Sequence, residues 1–152
     1  MLGNHKYAAS GSSMKGRRGI LRNDETESIV TFSAPREFGG ELGLWTPEDL
    51  LLAAVAACFI STFAAIAAFS KYEFDSLEVA VHGEIQKADG GWRFTSIEVQ
   101  PKLTVAATAN AERAITLFAK AEAACLVSRS LSSKVSLEPV VQKASAGTAT
   151  SF

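Results

Sequence analysis

The segment Leu50–Phe69 runs for twenty positions without a charged residue. Thr46-Pro47-Glu48-Asp49 precedes it, setting an N-cap residue, a proline at the first helical position and two acids against the positive end of a helix. The combination predicts a helix from Pro47 to about Ser70, about 24 residues and about 36 Å long. Apolar on every face, it meets the length criterion for a membrane span. It equally suits the centre of a core wrapped by sheet. Eight of the twenty residues are alanine, none is Trp or Tyr, and acids flank one end while Lys71 flanks the other. The core reading is favoured because the rest of the chain holds amphipathic strands whose inward faces need a partner. No membrane partner is therefore expected. One chain of this size does not readily cover such a helix, so the reading predicts an obligate homodimer without a stable folded monomer.

A length of 152 residues fits one domain, and 47% apolar with 20% charged residues excludes a disordered chain. A net charge of −1 gives no basic footprint, so no nucleic acid partner is expected. Two cysteines and two histidines provide neither a disulfide framework nor zinc-ligand spacing, and no metal site is expected. Met1 to Ser13 has no apolar h-region, which favours a reducing, cytoplasmic location.

Short β-like stretches at Lys6–Ala9, Gly19–Arg22 and Ser28–Ser33 suggest hairpins at the start. Ala34 to Trp45, with Pro35, Gly39, Gly40 and Gly43, reads as a long mobile loop carrying the aromatic tips Phe38 and Trp45. After the helix, Asp75 to Gln86 alternates as a half-buried strand and Ala88-Asp89-Gly90-Gly91 is a turn. Trp92 to Val105 returns as a strand whose apolar phase switches, which predicts a bulge near Ser96. Asn110 to Ala123 has helical spacing, a short helical segment follows around Leu126 to Leu131, and a last strand is expected at Val135 to Leu137. A single domain over 1–141 and a disordered tail over 142–152 complete the expectation.

Cys58 and Cys125 lie in nearly the same local sequence, Ala56-Ala57-Cys58-Phe59-Ile60-Ser61 and Ala123-Ala124-Cys125-Leu126-Val127-Ser128. Either both are small core hydrophobes or they are kept for reactivity. A buried thiol in apolar surroundings is inert, so a reactive Cys58 needs a cation beside it. Lys15-Gly16-Arg17-Arg18-Gly19 offers one, and strand alternation lets only one of Arg17 and Arg18 face a buried site. The plainer alternative leaves both in solvent. Glu48 is either a helix-start acid or the group that orients an arginine by paired hydrogen bonds. Ten residues of helix separate it from Cys58 by about 15 Å, so any service to a Cys58 is to that of a second subunit.

Thr46-Pro47-Glu48-Asp49-Leu50 followed by Ala56-Ala57-Cys58-Phe59 resembles the Pro-Glu-x-Leu, then Ala-Cys-Phe, pattern of the OsmC/Ohr family of thiol peroxidases. Gly16-Arg17-Arg18-Gly19 is similar to that family's Gly-Arg-x-Gly, and Pro35-Arg36-Glu37-Phe38-Gly39-Gly40 to its loop before the helix. The second cysteine falls in the expected place, and the resemblance covers about residues 7–141. It implies an α+β intertwined homodimer, with antiparallel sheets wrapped around long central helices. It also implies reduction of organic hydroperoxides by Cys58, resolution by Cys125, support of the thiolate by Arg17 with Arg18 as alternative, and pairing of that arginine with Glu48. No cofactor is implied, only an external dithiol or lipoyl-type reductant. An apolar pocket from Phe38, Trp45, Phe59 and Phe63 would suit alkyl or fatty-acid hydroperoxides, although all four also read as core. One departure stands out: many peroxidase members have proline directly after the second cysteine, whereas here Leu126 follows. The alternative function is a non-catalytic protein of the same fold that binds an apolar ligand in the dimer-interface groove.

Overall fold

The computed structural model describes residues 3–145. The chain divides into two compact units, Met1–Leu51 and Leu52–Phe152, and the boundary falls inside the long helix.

The first unit is a three-stranded antiparallel sheet in the order β1 (Ser10–Ser13), β2 (Arg18–Asn23), β3 (Thr26–Ser33). The first strand lies at Ser10–Ser13 and not at Lys6–Ala9, because its register is set by β2: Ser10 opposes Arg22 and Ser13 opposes Gly19. Cross-strand pairing has overridden the local composition. After β3, a 3-10 turn at Arg36–Phe38 ends on Gly39 at φ +82. A side chain at Gly40 would place its Cβ 1.5 Å from the Ala34 carbonyl oxygen, so only glycine fits there. The segment expected as a mobile loop is tied at its base. The Ser33 amide donates to the Trp45 carbonyl (2.8 Å), and the buried Ser33 hydroxyl accepts from the Glu41 amide (2.9 Å). Among this unit's described residues only Gly19 and Ser33 are buried, so the sheet has no apolar core of its own.

Helix α1 (Pro47–Phe69) begins at a reciprocal cap. The Asp49 amide donates to the Thr46 hydroxyl (3.0 Å), and the Asp49 carboxylate accepts from the Thr46 amide (3.1 Å). This is a capping box with Asp as the third helical residue. The other end is a Schellman closure: Tyr72 N–H reaches the Ala67 carbonyl and Lys71 N–H the Ala68 carbonyl, with Lys71 at φ +53.

The second unit joins β4 (Ser76–Ala88) and β5 (Gly91–Val105) as a long antiparallel hairpin, turned at Asp89 and Gly90, both with positive φ. Glu84 opposes Ser96 while Ile85 opposes Phe94, so Thr95 is the bulged residue that resets the apolar phase, as the sequence predicts. Helices α2 (Ala111–Ala124) and α3 (Leu126–Arg129) then carry the chain back to β6 (Lys134–Leu137) and β7 (Val140–Lys143). Both strands pair parallel to β5, β6 along Ser96–Val99 and β7 along Lys102–Val105. The sheet is therefore mixed and not purely antiparallel, because a helical crossover returns the chain in the direction of the strand it left. The Val99 carbonyl accepts from the Glu138 amide, so Val99 and, by alternation, Pro101 face this edge. Pro101 falls in the gap between β6 and β7, where its missing N–H breaks no ladder bond. β7 extends two residues into the expected tail; 146–152 lie outside the described residues.

The core of this unit is built by Val55, Phe59, Phe63 and Ala67 of α1, Val99, Leu103 and Val105 of β5, and Ala114, Leu117, Phe118 and Ala121 of α2. The α1 contribution is one stripe at four-residue spacing. Ala54, Ala57, Ile60, Ala64, Ala65, Ala68 and Phe69 remain exposed, Phe69 at 92%. By length and composition α1 is apolar enough to cross a membrane, with only 22% of its most apolar window buried.

Candidate functional site

Cys58 sits beside the buried stripe of α1, one residue before the core residue Phe59, and is half-buried. Its sulfur lies 3.9 Å from the Thr62 hydroxyl one turn on. Across from it is Cys125, fully buried at the end of α2. There φ −65 and ψ 108 interrupt the helix before α3 begins. The Cys125 amide donates to the Glu122 carbonyl (3.2 Å), its carbonyl accepts from the Arg129 amide (3.0 Å), and the Ser128 hydroxyl donates to its sulfur (3.4 Å). Main chain on both sides thus fixes this residue. The Cys125 thiol and the main chain of Leu126 and Val127 lie near enough to Cys58 to draw its pKa down. Both cysteines are free thiols.

The two sulfurs are driven in opposite directions. Burial alone would raise the Cys58 pKa, but bonds from Val127, Cys125, Thr62 and Leu126 outweigh it and the thiol is lowered from the ordinary value. Cys125 is raised, first by burial and then by its bond to Cys58 and the charge there, against the opposing Ser128 groups. Cys58 is therefore the more acidic of the two thiols and Cys125 the less acidic. The arrangement places a thiol of lowered pKa near a second free thiol of raised pKa, a pairing that a cycle of oxidation and resolution would need.

The structure brings together only part of the residue set read from the sequence. Phe59 and Phe63, expected to line a substrate pocket, are fully buried, with rings 6.0 and 4.7 Å from Phe118. They are core residues here, because a helix apolar on all faces does not reveal which face it buries. Phe38 and Trp45 are exposed in the first unit. Arg17 is exposed, its side chain alongside Gly39, while Arg18 Nε lies 3.2 Å from Glu41, without hydrogen-bond alignment. The Oε2 atom of Glu48 is buried, and no described residue hydrogen-bonds it. Thr62 and Ser128 are groups beside the two sulfurs that the sequence reading missed. Ser128 had a visible signal, since both cysteine segments end on a serine three residues after the sulfur.

Residues 39–139 match the profile of the family described as OsmC-like protein. The organic hydroperoxide resistance protein of Xanthomonas axonopodis pv. citri is 34% identical over 122 residues, covering 78% of this chain and 82% of that protein. The uncharacterized protein YmaD of Bacillus subtilis is 28% identical over 127 residues, 81% of this chain and 85% of its own. An OsmC-like protein of unknown function from Vibrio cholerae superposes with a TM-score of 0.83 at 18% identity, covering 90% of this chain and all of that one. An organic hydroperoxide resistance protein from Legionella pneumophila gives 0.74 at 23% identity over 93% and 99% of the two chains. The fold is the α+β fold of these proteins, and the chain belongs to the OsmC-like family.

Proposed function

We propose that this protein is a cytoplasmic two-cysteine peroxidase that reduces organic hydroperoxides and works as a homodimer. The observation that carries the reading is the pairing of two free thiols, half-buried Cys58 on α1 and buried Cys125 at the end of α2, with the Cys58 pKa drawn down and the Cys125 pKa pushed up. The Cys58 thiolate attacks the peroxide O–O bond, which breaks. One oxygen leaves as alkoxide and takes a proton to become the alcohol, while the other remains on sulfur as sulfenic acid. Cys125 gives its sulfur to that centre, water leaves, and a disulfide joins the pair. An external dithiol or lipoyl-type reductant returns both to thiols and is itself oxidised. The protein needs no metal, haem or flavin for this cycle.

The homodimer is supported from three sides. The exposed apolar face of α1 needs a cover, and among the described residues the first unit has no apolar core and the buried oxygen of Glu48 has no donor. A second copy packed helix against helix would supply all three, and Glu48 with Arg17 or Arg18 would then complete the Cys58 site of the partner. The similarity to organic hydroperoxide resistance proteins supports the substrate class. The deciding experiment is peroxide consumption by the purified protein with a dithiol, tested on alkyl and fatty-acid hydroperoxides and on hydrogen peroxide. Turnover of the organic substrates that disappears in Cys58→Ser is expected. Turnover unaffected by Cys58→Ser, or none with any hydroperoxide, removes the reading in favour of an apolar-ligand carrier with idle cysteines. Sedimentation as a folded 16.1 kDa species at micromolar concentration would remove the dimer.

A further inference from the structure

We propose that Ser128 takes part in the resolving step: its buried hydroxyl donates to the Cys125 sulfur and steadies the negative charge that this sulfur carries as it attacks the oxidised Cys58. This deepens the peroxidase reading and rests on it.

Ser33 and Ser128 are the two buried polar residues among those described. Burying a hydroxyl is costly unless a hydrogen bond offsets the lost water. Ser33 meets an ordinary strong partner, the Glu41 amide. Ser128 meets the Cys125 sulfur, at 3.4 Å. A neutral thiol is a weak acceptor, whereas bonds to an ionised acceptor are about twice as strong as neutral ones. The hydroxyl is therefore buried against an acceptor that becomes good only when the sulfur loses its proton. An interaction that strengthens toward the reacting state is the kind that accelerates a step.

Other helical hydroxyls do something different. Thr116 donates to the Glu112 carbonyl four residues back (3.3 Å), and Ser61 to the Cys58 carbonyl three residues back (3.1 Å). This is the common habit of a serine or threonine inside a helix. Ser61 stands at the same spacing from Cys58 as Ser128 from Cys125, in nearly the same local sequence, yet Ser128 turns to the sulfur. The two cysteines differ in their main chain. Cys58 lies inside α1, whereas Cys125, at φ −65 and ψ 108, separates α2 from α3.

In the resolving step the Cys125 sulfur gives up its proton and attacks the sulfenic sulfur of Cys58. The S–S bond forms, the S–O bond breaks, and the departing hydroxide takes up the released proton as water. Burial opposes the charged form of Cys125, and the Ser128 hydroxyl favours it. Ser128 keeps its own proton throughout.

The test has two arms, both on the full chain. In the first, reduced protein receives one equivalent of an alkyl hydroperoxide, and quenched samples are read by intact mass for sulfenic acid and disulfide. The defect of Ser128→Ala should fall on the second phase, with the disulfide closing about three-fold more slowly at neutral pH. A tenfold loss of thiolate, the effect of one lost bond to a charged group, is partly returned by the greater nucleophilicity of a more basic sulfur. In the second arm the 13Cβ shift of Cys125 is titrated in Cys58→Ser with and without Ser128→Ala, so that Cys125 is the one sulfur that titrates as a thiol. Loss of the hydroxyl should move its midpoint up by about one pH unit. Closure at the wild-type rate in Ser128→Ala overturns the inference. Slower closure with an unmoved midpoint overturns it too, since the hydroxyl would then matter for packing alone. A wild type that forms no sulfenic acid at Cys58 overturns the peroxidase reading instead, and the resolving role of Ser128 falls with it.

Discussion

Phe118 is the residue through which α2 is fastened to α1. Its ring is fully buried, 4.7 Å from Phe63 and 6.0 Å from Phe59, both contacts tilted. Replacing a buried phenylalanine with alanine costs about 3–5 kcal/mol, through lost burial and an unfilled cavity. Two aromatic contacts, each worth about 0.5–1.5 kcal/mol beyond area, place Phe118→Ala in the upper half of that range. Against a total stability of about 5–15 kcal/mol this is a severe loss. Phe118→Leu keeps most of the volume and should cost about 1–2 kcal/mol. The measurement is urea unfolding at one fixed protomer concentration, because dissociation and unfolding would be linked in the proposed dimer. Cys125 lies two helical turns beyond Phe118 on the same buried face of α2, so Phe118→Ala should also slow closure of the disulfide. A loss below about 1 kcal/mol for Phe118→Ala would show that this seam does not hold the unit together. An equal loss for leucine and alanine would show that the ring itself, and not its volume, is what matters.

Cys125→Ser should complete one round of peroxide reduction and then accumulate over-oxidised Cys58, seen by mass spectrometry; loss of that single round would reverse the assigned roles. Burial raises the Glu122 carboxyl pKa, and its Oε2 has no hydrogen-bond partner among the described residues. A raised folded pKa means that its contribution is fully present below the unfolded carboxyl value and is lost as pH rises through the folded one. Glu122→Gln should therefore be more stable than wild type at neutral pH, with the difference fading below about pH 4 in parallel unfolding curves. A double-mutant cycle of Arg17→Ala with Glu48→Ala on the peroxide reaction should be strongly non-additive. Additivity would separate the two residues, and a defect confined to Arg18→Ala would move the arginine assignment by one position.

What was legible in the sequence is what local chemistry decides. Thr46 and Pro47 fix the start of α1 through a cap within three residues, and the apolar phase switch in β5 records the bulge at Thr95 directly. The parallel return of β6 and β7 was not legible, because it is decided by a crossover and by a partner strand more than thirty residues earlier. The same holds for β1, which β2 selects by register. Within the site, the two cysteines announced themselves. The hydroxyls of Thr62 and Ser128 beside them did not, since a serine or threonine in a helix carries no mark of which sulfur it will meet. Phe59 and Phe63 were ambiguous for a different reason: a helix without a polar face carries no mark of which side goes inward.

The distance in sequence between the paired sulfurs has a mechanical consequence. Cys58 and Cys125 are sixty-seven positions apart. A covalent bond between them would tie α1 to the end of α2 across nearly half the chain. Closing a loop of that length restricts the unfolded ensemble by about 4 kcal/mol in the chain-entropy account. The peroxide-oxidised form would then melt at a higher temperature than the reduced form, and a protease acting through global opening would spare it. The protein would be most robust in the spent state, awaiting its reductant, and most open to turnover by the cell in the state that is ready to react.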